Sequence, residues 1–415
     1  MCVPKPELGN EFHVRVSCPC FICVQSVAMN PVNRIYLDNA ATSFPKPEAV
    51  YDAVDHYNRH LGVAVGRGAF DQAVELQGSV NRCRSRAAEL LGAESPDRIA
   101  FTFNCTDSLN TALHGLIDSA AHVVTTDVEH NSVLRPLREL QDRLGIEVTY
   151  VPVDAVGRVA PEDIRAAMRP DTRVVAVNHA SNVTGTIQPI ADIGQIARNA
   201  GATFVVDAAQ SAGHIPLNLA ELPIDVLCCA GHKGLLGPLG TGLLYVRPDI
   251  EERLRSLRQG GTGTHSEDDR QPESLPDKYE SGNHNAPGLV GLAAALDFLT
   301  ERGIENIRAH EQQLTAQLLE GLAQIPGLTQ YGPTDPTERV AVVSITLEGF
   351  DPQDLAGILD DSFAIQTRAG LHCAPRIHES LGTKPAGGTI RLSPGPFSTA
   401  EDIDAAIEAL RAITS

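Results

Sequence analysis

The sequence predicts an α/β fold in which a large, mostly parallel sheet carries helices on both faces and a smaller α/β domain follows it. Three observations lead there. Between 98 and 178, short apolar runs alternate with segments of helical spacing, the rhythm of a parallel sheet wound with crossover helices. The run at 203–207 ends on Asp207, as a buried parallel strand does where it delivers a carboxylate at its carboxyl end, the place where such sheets bind ligands. After 286 the pattern changes to two long helices and then shorter elements. A chain of 415 residues, 42% of them hydrophobic, can bury a core of that size.

Taken in order, 34–47 reads as a short strand breaking into a turn, and 48–60 as a helix with Val50, Val54 and Tyr57 on one face. A helix over 70–91 carries Ala73, Leu76, Val80, Ala87 and Leu90, and Gly92 stops it. The strand at 98–103 runs into a strand-to-helix junction at 104–113. Strands at 122–126, 147–151 and 173–178 alternate with helices at 132–144 and 161–168. Buried strands follow at 203–207 and 226–230, then a helix after Tyr245 reaching Gln259 and a surface loop at 260–278. Helices at 286–302 and 304–324 lead to strand 339–347, helix 352–360, strands 364–367 and 388–393, and helix 400–413. The expected division is an N-terminal extension over 1–30, a large domain over 31–285 and a small C-terminal domain over 286–415.

Acidic residues outnumber basic ones, 52 against 33, for a net charge of −19, which argues against a nucleic-acid surface. The longest apolar runs, 289–296 and 342–347, are too short to span a bilayer. Nine cysteines without disulfide-like spacing fit reduced thiols and a cytoplasmic location. Cys83, Cys228 and Cys229 read as packing residues. Cys2, Cys18, Cys20 and Cys23 match no zinc module, so no metal is expected. The apolar stretch at 14–27 is interrupted by Arg15, Ser17, Pro19 and Gln25, and residues 1–28 read as a mis-assigned start or a disordered tail.

The stretch 225–242 places a single lysine, Lys233, between an apolar strand and a turn containing Gly231, Gly234, Gly237, Gly240 and Gly242. A lysine so enclosed is desolvated, and its neutral amine can condense with an aldehyde. Asp207 ends a buried strand upstream, and a carboxylate there can keep a pyridine ring protonated so that it accepts electrons. Together they point to pyridoxal 5'-phosphate (PLP).

The segments 207–210 and 231–233 resemble the class V aminotransferase family of fold-type I PLP enzymes, from about Ile35 to the C-terminus, and 368–375 resembles its cysteine desulfurase and selenocysteine lyase branch. The resemblance implies a fold-type I PLP-dependent transferase with a large domain of the seven-stranded type. It implies that Lys233 binds the cofactor with His232 beside it, that His130 stacks on the ring, that Asp207 pairs with the ring nitrogen, and that Gln210 and Asn182 contact the phenolic oxygen. Cys105 and Thr106, at a helix start, would cradle the phosphate. Ala40 and Ala41 would border the substrate, Asn182 and Arg391 would hold its carboxylate, Arg368 would also bind the substrate, and His130 would count with Lys233 and Cys373 among the catalytic residues. The segment 279–288, with Asn283, would reach the phosphate in a partner subunit, implying a homodimer with shared sites.

Cys373 is the expected reaction-determining residue. It follows the flexible-looking Ala369 and Gly370 and precedes Pro375, at an expected helix start whose dipole favours a thiolate. Arg368 and His372 add positive charge or proton traffic. The expected chemistry is cysteine desulfuration: Lys233 moves the Cα proton, Cys373 takes the sulfur of L-cysteine as a persulfide, and L-alanine leaves. L-selenocysteine, transamination or epimerisation, and a non-catalytic sulfur-carrier role stay open, as does a sulfur-acceptor protein. Two departures from the family pattern stand out. Ala230 replaces a hydroxyl residue and Asn283 a threonine at phosphate-contacting positions, each loss costing about 1 kcal/mol of cofactor binding.

Overall fold

The computed structural model describes residues 34–66, 68–264 and 267–414. The expected N-terminal extension, with Cys2, Cys18, Cys20 and Cys23, lies outside the described residues.

The chain opens with β1 (Ile35–Tyr36), α1 (Glu48–His56), which continues into a π-helical turn at Tyr57–Leu61, and α2 (Asp71–Leu91). Gly92, at φ 66, takes the left-handed position that ends α2. Then come β2 (Ile99–Thr102), α3 (Cys105–Leu116), β3 (His122–Thr126), α4 (Asn131–Leu144), β4 (Glu147–Val151), α5 (Pro161–Ala167), β5 (Thr172–Asn178), α6 (Ile190–Asn199) and β6 (Thr203–Asp207). β7 (Val226–Ala230) and β8 (Gly242–Val246) complete a seven-stranded sheet of order β2-β8-β7-β6-β5-β3-β4. Five neighbouring strands from β4 to β7 run parallel, while β8 is antiparallel to β7 and β2 to β8. The central strands are buried on both faces and feed two cores: Phe204, Val206 and Leu227 enter one, Val205, Val226 and Cys228 the other.

The C-terminal part comprises α7 (Ala286–Arg302), α8 (Ile304–Leu322), β9 (Leu328–Tyr331), β10 (Val343–Leu347), α9 (Pro352–Phe363), β11 (Ile365–Gln366), β12 (Arg368–Gly370), α10 (Pro375–Ser380), β13 (Thr389–Leu392) and α11 (Ala400–Thr414). β12-β13-β10-β9 form an antiparallel sheet with its own core, built on Leu318, Ile345, Leu392 and Ile407. Residue 286 does not mark the change of core. Leu292 and Leu296 of α7 pack with Leu76 of α2 in the first core, and the hand-over comes along α8, whose Ile307 lies in the first core and Leu318 in the third. Conversely, β1 pairs in parallel with β11, and Leu37 joins the third core.

Three local readings differ from the sequence expectation. The helix expected after Tyr245 is a set of turns, in which Asp249 takes the left-handed angle φ 73, through which no right-handed helix continues. Ala369 and Gly370 are not a flexible link: with Arg368 they form β12, each facing a residue of β13. α6, β8 and β9 had no counterpart among the expected elements.

Candidate active site

The carboxyl ends of β5, β6 and β7 and the N-terminus of α3 surround a cleft with about 480 Å³ of empty volume. Lys233 lies just beyond β7, and the glycines around it are sterically required. A Cβ on Gly231 would stand 2.1 Å from Thr241 Oγ1, and one on Gly234 2.4 Å from the Ala212 carbonyl oxygen and 2.7 Å from His214 Nε2. Burial holds the Lys233 amine below the usual lysine range, opposed by the charge of Asp207. The Lys233 carbonyl accepts from Ser43 Oγ at 3.0 Å, and the His232 carbonyl from Lys46 Nζ at 2.9 Å, so the loop is braced by the segment after β1.

Asp207, the last residue of β6, has its Oδ1 occupied by the Ala209 N–H at 2.8 Å and the Cys105 thiol at 3.3 Å. Oδ2 has no protein partner among the described residues. Burial pushes the Cys105 thiol up, which keeps it a donor beside the carboxylate. Cys105 also opens α3, where Asn104 caps the helix by accepting from the Asp107 N–H at 2.9 Å. The N–H groups of Cys105 and Thr106 take no protein acceptor and lie at the positive end of the helix, a site suited to an anion.

His130 caps α4 and lines the cleft at the same time. Its Nδ1 accepts from the Ser132 N–H at 3.0 Å, so the neutral ring carries its proton on Nε2; burial holds its pKa down to about 4. Ser132 Oγ joins His130 Nδ1, at 2.8 Å, to Thr106 Oγ1, at 2.7 Å. Gln210 donates through Nε2 to the Ala40 carbonyl at 2.9 Å. Ala40 N–H in turn donates to Ser393 Oγ at 3.0 Å, so its backbone is already engaged at the rim.

The cleft opens into a mouth of about 930 Å³ bordered by Ala40, Ala41, Asn182, Lys233, Arg368, His372, Cys373 and Arg391. Cys373 is exposed. It and His372 both take left-handed backbone angles, φ 59 and 47, in a turn that is fastened rather than loose. The Cys373 carbonyl accepts from the Asn131 N–H at 2.7 Å and the His372 carbonyl from Asn182 Nδ2 at 2.6 Å. The helix expected at the thiol begins only at Pro375, and a different group stands beside the sulfur: Arg368 NH2, 3.9 Å from Sγ. The buried His372 ring bonds through Nε2 to Thr389, and burial lowers its pKa to about 2. It is therefore neutral near pH 7, and the positive charge expected of it is absent.

Arg391, 1% exposed on β13, reaches Asp38 Oδ1 through NH2 at 2.7 Å and the Asn182 carbonyl through NH1 at 3.1 Å; its Nε has no partner. Asn283 does not join this group. It is exposed and lines a separate cleft with Phe103, Arg258 and His284. Asn104, Ser132, Asn178 and Asp38 went unassigned in the sequence. An asparagine before a helix with aspartate three residues on is a readable cap, but nothing in the sequence links Asp38 to an arginine 353 residues away.

These groups fit a phosphorylated pyridine aldehyde. Among the described residues, three buried polar atoms around the cleft have no protein partner: the acceptors Asn178 Oδ1 and Asn182 Oδ1, and His232 Nδ1. With them stand an anion-binding helix end, a carboxylate with one unpartnered oxygen, and a lysine of lowered basicity. Fold and site thus define a PLP-dependent enzyme. The chain belongs to the class-V aminotransferase family, whose model matches residues 35–406. It is 36% identical over 385 residues to a probable cysteine desulfurase of Methanothermobacter thermautotrophicus, covering 92% of this chain and 95% of that one. A cysteine desulfurase of Haloferax volcanii is 32% identical over 385 residues, 91% of this chain and 89% of its own. Among solved structures, the apo cysteine desulfurase of Thermococcus onnurineus NA1 superposes with a TM-score of 0.86 at 32% identity, covering 92% of this chain and 94% of that chain. The cysteine desulfurase CsdA of Escherichia coli gives 0.83 at 29%, covering 91% and 94%.

Proposed function

We propose that this protein is a cysteine desulfurase that removes sulfur from L-cysteine, releases L-alanine and carries the sulfur as a persulfide on Cys373. The observation that carries this reading is the gathering of Lys233, Asn182, Arg368, Arg391 and an exposed Cys373 around one mouth. PLP, when bound, supplies an electron sink for the substrate's Cα. Lys233 would hold it and Asp207 would face the ring nitrogen, with His130 and His232 beside the ring and Gln210 and Asn182 near its oxygen. Cys105 and Thr106 N–H groups would take the phosphate.

The residues of this chain then divide the work. Arg391 and Asn182 hold the carboxylate near Ala40, and Lys233, of lowered basicity, takes the Cα proton and returns one to the product. Cys373 attacks the substrate sulfur: an S–S bond forms as the C–S bond breaks, the electron pair stays with carbon, and protonation there gives alanine. Arg368 steadies the attacking sulfur.

Further readings belong to the same proposal. Exposed Phe44, Tyr51 and Leu239 border an apolar groove beside the mouth, which supports a homodimer, and Asn283, lying apart from Lys233, would serve the partner's phosphate. A sulfur-acceptor protein would meet Cys373 at the open mouth, in the cytoplasm. Among the described residues, no helix is long and apolar enough to cross a membrane. The test is to assay L-alanine and sulfide from L-cysteine under a reductant. Equal yields of both, with sulfide lost in Cys373→Ala while cysteine still perturbs the cofactor's absorbance, are expected. Sulfide release that ignores this substitution would favour selenocysteine cleavage or another class V reaction.

A further inference from the structure

We infer that Asp38 is a positioning residue for the substrate-carboxylate clamp; this rests on reading Arg391 as that clamp. Asp38 lies just past β1, where the backbone is stitched to the end of β13. Ser393 N–H donates to the Leu37 carbonyl at 2.7 Å, and Asn39 N–H to the Ser393 carbonyl at 3.1 Å. This backbone fixes the Asp38 carboxylate against a guanidinium two residues upstream of Ser393. The pair is asymmetric: the Asp38 side chain is 20% exposed and that of Arg391 1%.

A buried guanidinium with five donors needs acceptors on every side. Arg391 has two, Asp38 Oδ1 on NH2 and the Asn182 carbonyl on NH1, while Nε is left without a partner. Two nitrogens are thus pinned from separate elements. The unpinned Nε–H, with the remaining NH2 hydrogen, forms the edge that a carboxylate engages with two parallel bonds. Asp38 is the one carboxylate bonded to this arginine among the described residues. Without it, burial disfavours the charge and a single carbonyl holds the fork. The brace extends further: Asn182, which accepts from Arg391, also donates to the His372 carbonyl, next to Cys373. Asp38 therefore steadies the carboxylate clamp and, through it, one of the two ties on the thiol-bearing turn.

The opposite effect is also physically available, because Asp38 competes with the substrate for the same guanidinium, and the sign of the experiment decides. PLP-loaded wild type, Asp38→Ala and Asp38→Asn are titrated with L-alanine, which presents the carboxylate without sulfur, and binding is read from the cofactor's absorbance. KM and kcat for L-cysteine are measured alongside, with melting temperature as the check on folding. Loss of one charge-assisted hydrogen bond predicts about tenfold weaker L-alanine binding and about tenfold higher KM in Asp38→Ala, with kcat within about threefold. Asp38→Asn, which keeps an oxygen acceptor, falls between the two and carries the test if the alanine variant does not fold. Binding that is unchanged or tighter in a folded variant overturns the inference. Failure of the desulfurase reading shows separately, as wild type that binds L-alanine yet releases no sulfide from cysteine.

Discussion

Gly242 sits where three parts of the site meet. In the sheet it faces Ala230 on one side and Thr102 on the other, directly beneath the residue that caps α3. A Cβ placed there would lie 2.7 Å from the carbonyl carbon and 2.8 Å from the Cα of Asn104, both backbone atoms, and 2.5 Å from Thr102 Oγ1. Ordinary carbon contacts are about 3.5 Å, so Gly242→Ala requires the Asn104 backbone to move by roughly 0.8 Å or the sheet to open. Overpacking of this kind costs about 1–3 kcal/mol. The carbonyl carbon that moves is bonded to the Cys105 nitrogen, the first of the two N–H groups offered to the cofactor phosphate, so about 1–2 kcal/mol of the cost falls on PLP binding, a 5- to 30-fold weaker Kd. Ala230→Ser, at the facing residue, adds a hydroxyl to the same cleft and should tighten binding about fivefold. Both are read by titrating apo protein with PLP, with Gly78→Ala, whose Cβ meets nothing within 4 Å, as control. Unchanged Kd in a folded Gly242→Ala protein would show that the α3 terminus is not the phosphate site.

The remaining predictions concern stability. Burial holds His130, His179, His232 and His378 down to about 4 and His372 to about 2, below the ordinary 6.5, whereas burial pushes Glu129 up to about 8 from 4.5. Between pH 6.5 and 4 the unfolded chain takes up protons that the folded histidines refuse, so their contribution is lost as pH falls. Glu129 works oppositely, its contribution shrinking as pH rises from 4.5 to 8. Five groups outweigh one below pH 6.5, at about 1.4 kcal/mol per pH unit for each full proton of mismatch. The melting temperature of apo protein should rise from pH 5 to 6.5 and sag gently towards pH 8; a maximum near pH 5 would contradict this. Glu280 is 4% exposed at its side chain, and takes Arg84 NH1 at 2.6 Å and NH2 at 2.9 Å, along with the Phe101 N–H at 2.6 Å. Glu280→Gln strands the arginine charge and should cost about 3–5 kcal/mol in urea unfolding. Arg84→Met with Glu280→Gln should recover much of it, and a single-variant loss below about 1 kcal/mol would mean the pair is solvated.

What could be read from sequence followed from short-range physics. The parallel sheet was legible because buried strands such as 203–207 and 226–230 are continuous apolar runs, and Lys233 stood out because its glycines answer to contacts a Cβ cannot make. His130 needed both of its readings, since one ring nitrogen caps α4 while the residue also borders the cleft. What stayed hidden depends on partners far along the chain. The Cys373 turn looked loose because glycine and small residues precede it, yet strand pairing with β13 and bonds from Asn131 and Asn182 hold it. Arg368 beside Sγ was legible because only five residues separate them, whereas Asp38 meets Arg391 only once the segment after β1 pairs alongside the end of β13. No break in the sequence pattern at 286 corresponds to a change of core: α7 packs wholly in the first core, and α8 has Ile307 there and Leu318 in the third.

The most direct test is peptide mass spectrometry of the PLP-loaded protein after brief incubation with L-cysteine and quenching without reductant. One added sulfur is expected on the peptide bearing Cys373, removed by dithiothreitol and absent when Lys233 is replaced by alanine. An unmodified Cys373 peptide in a sample that has already produced L-alanine would contradict it.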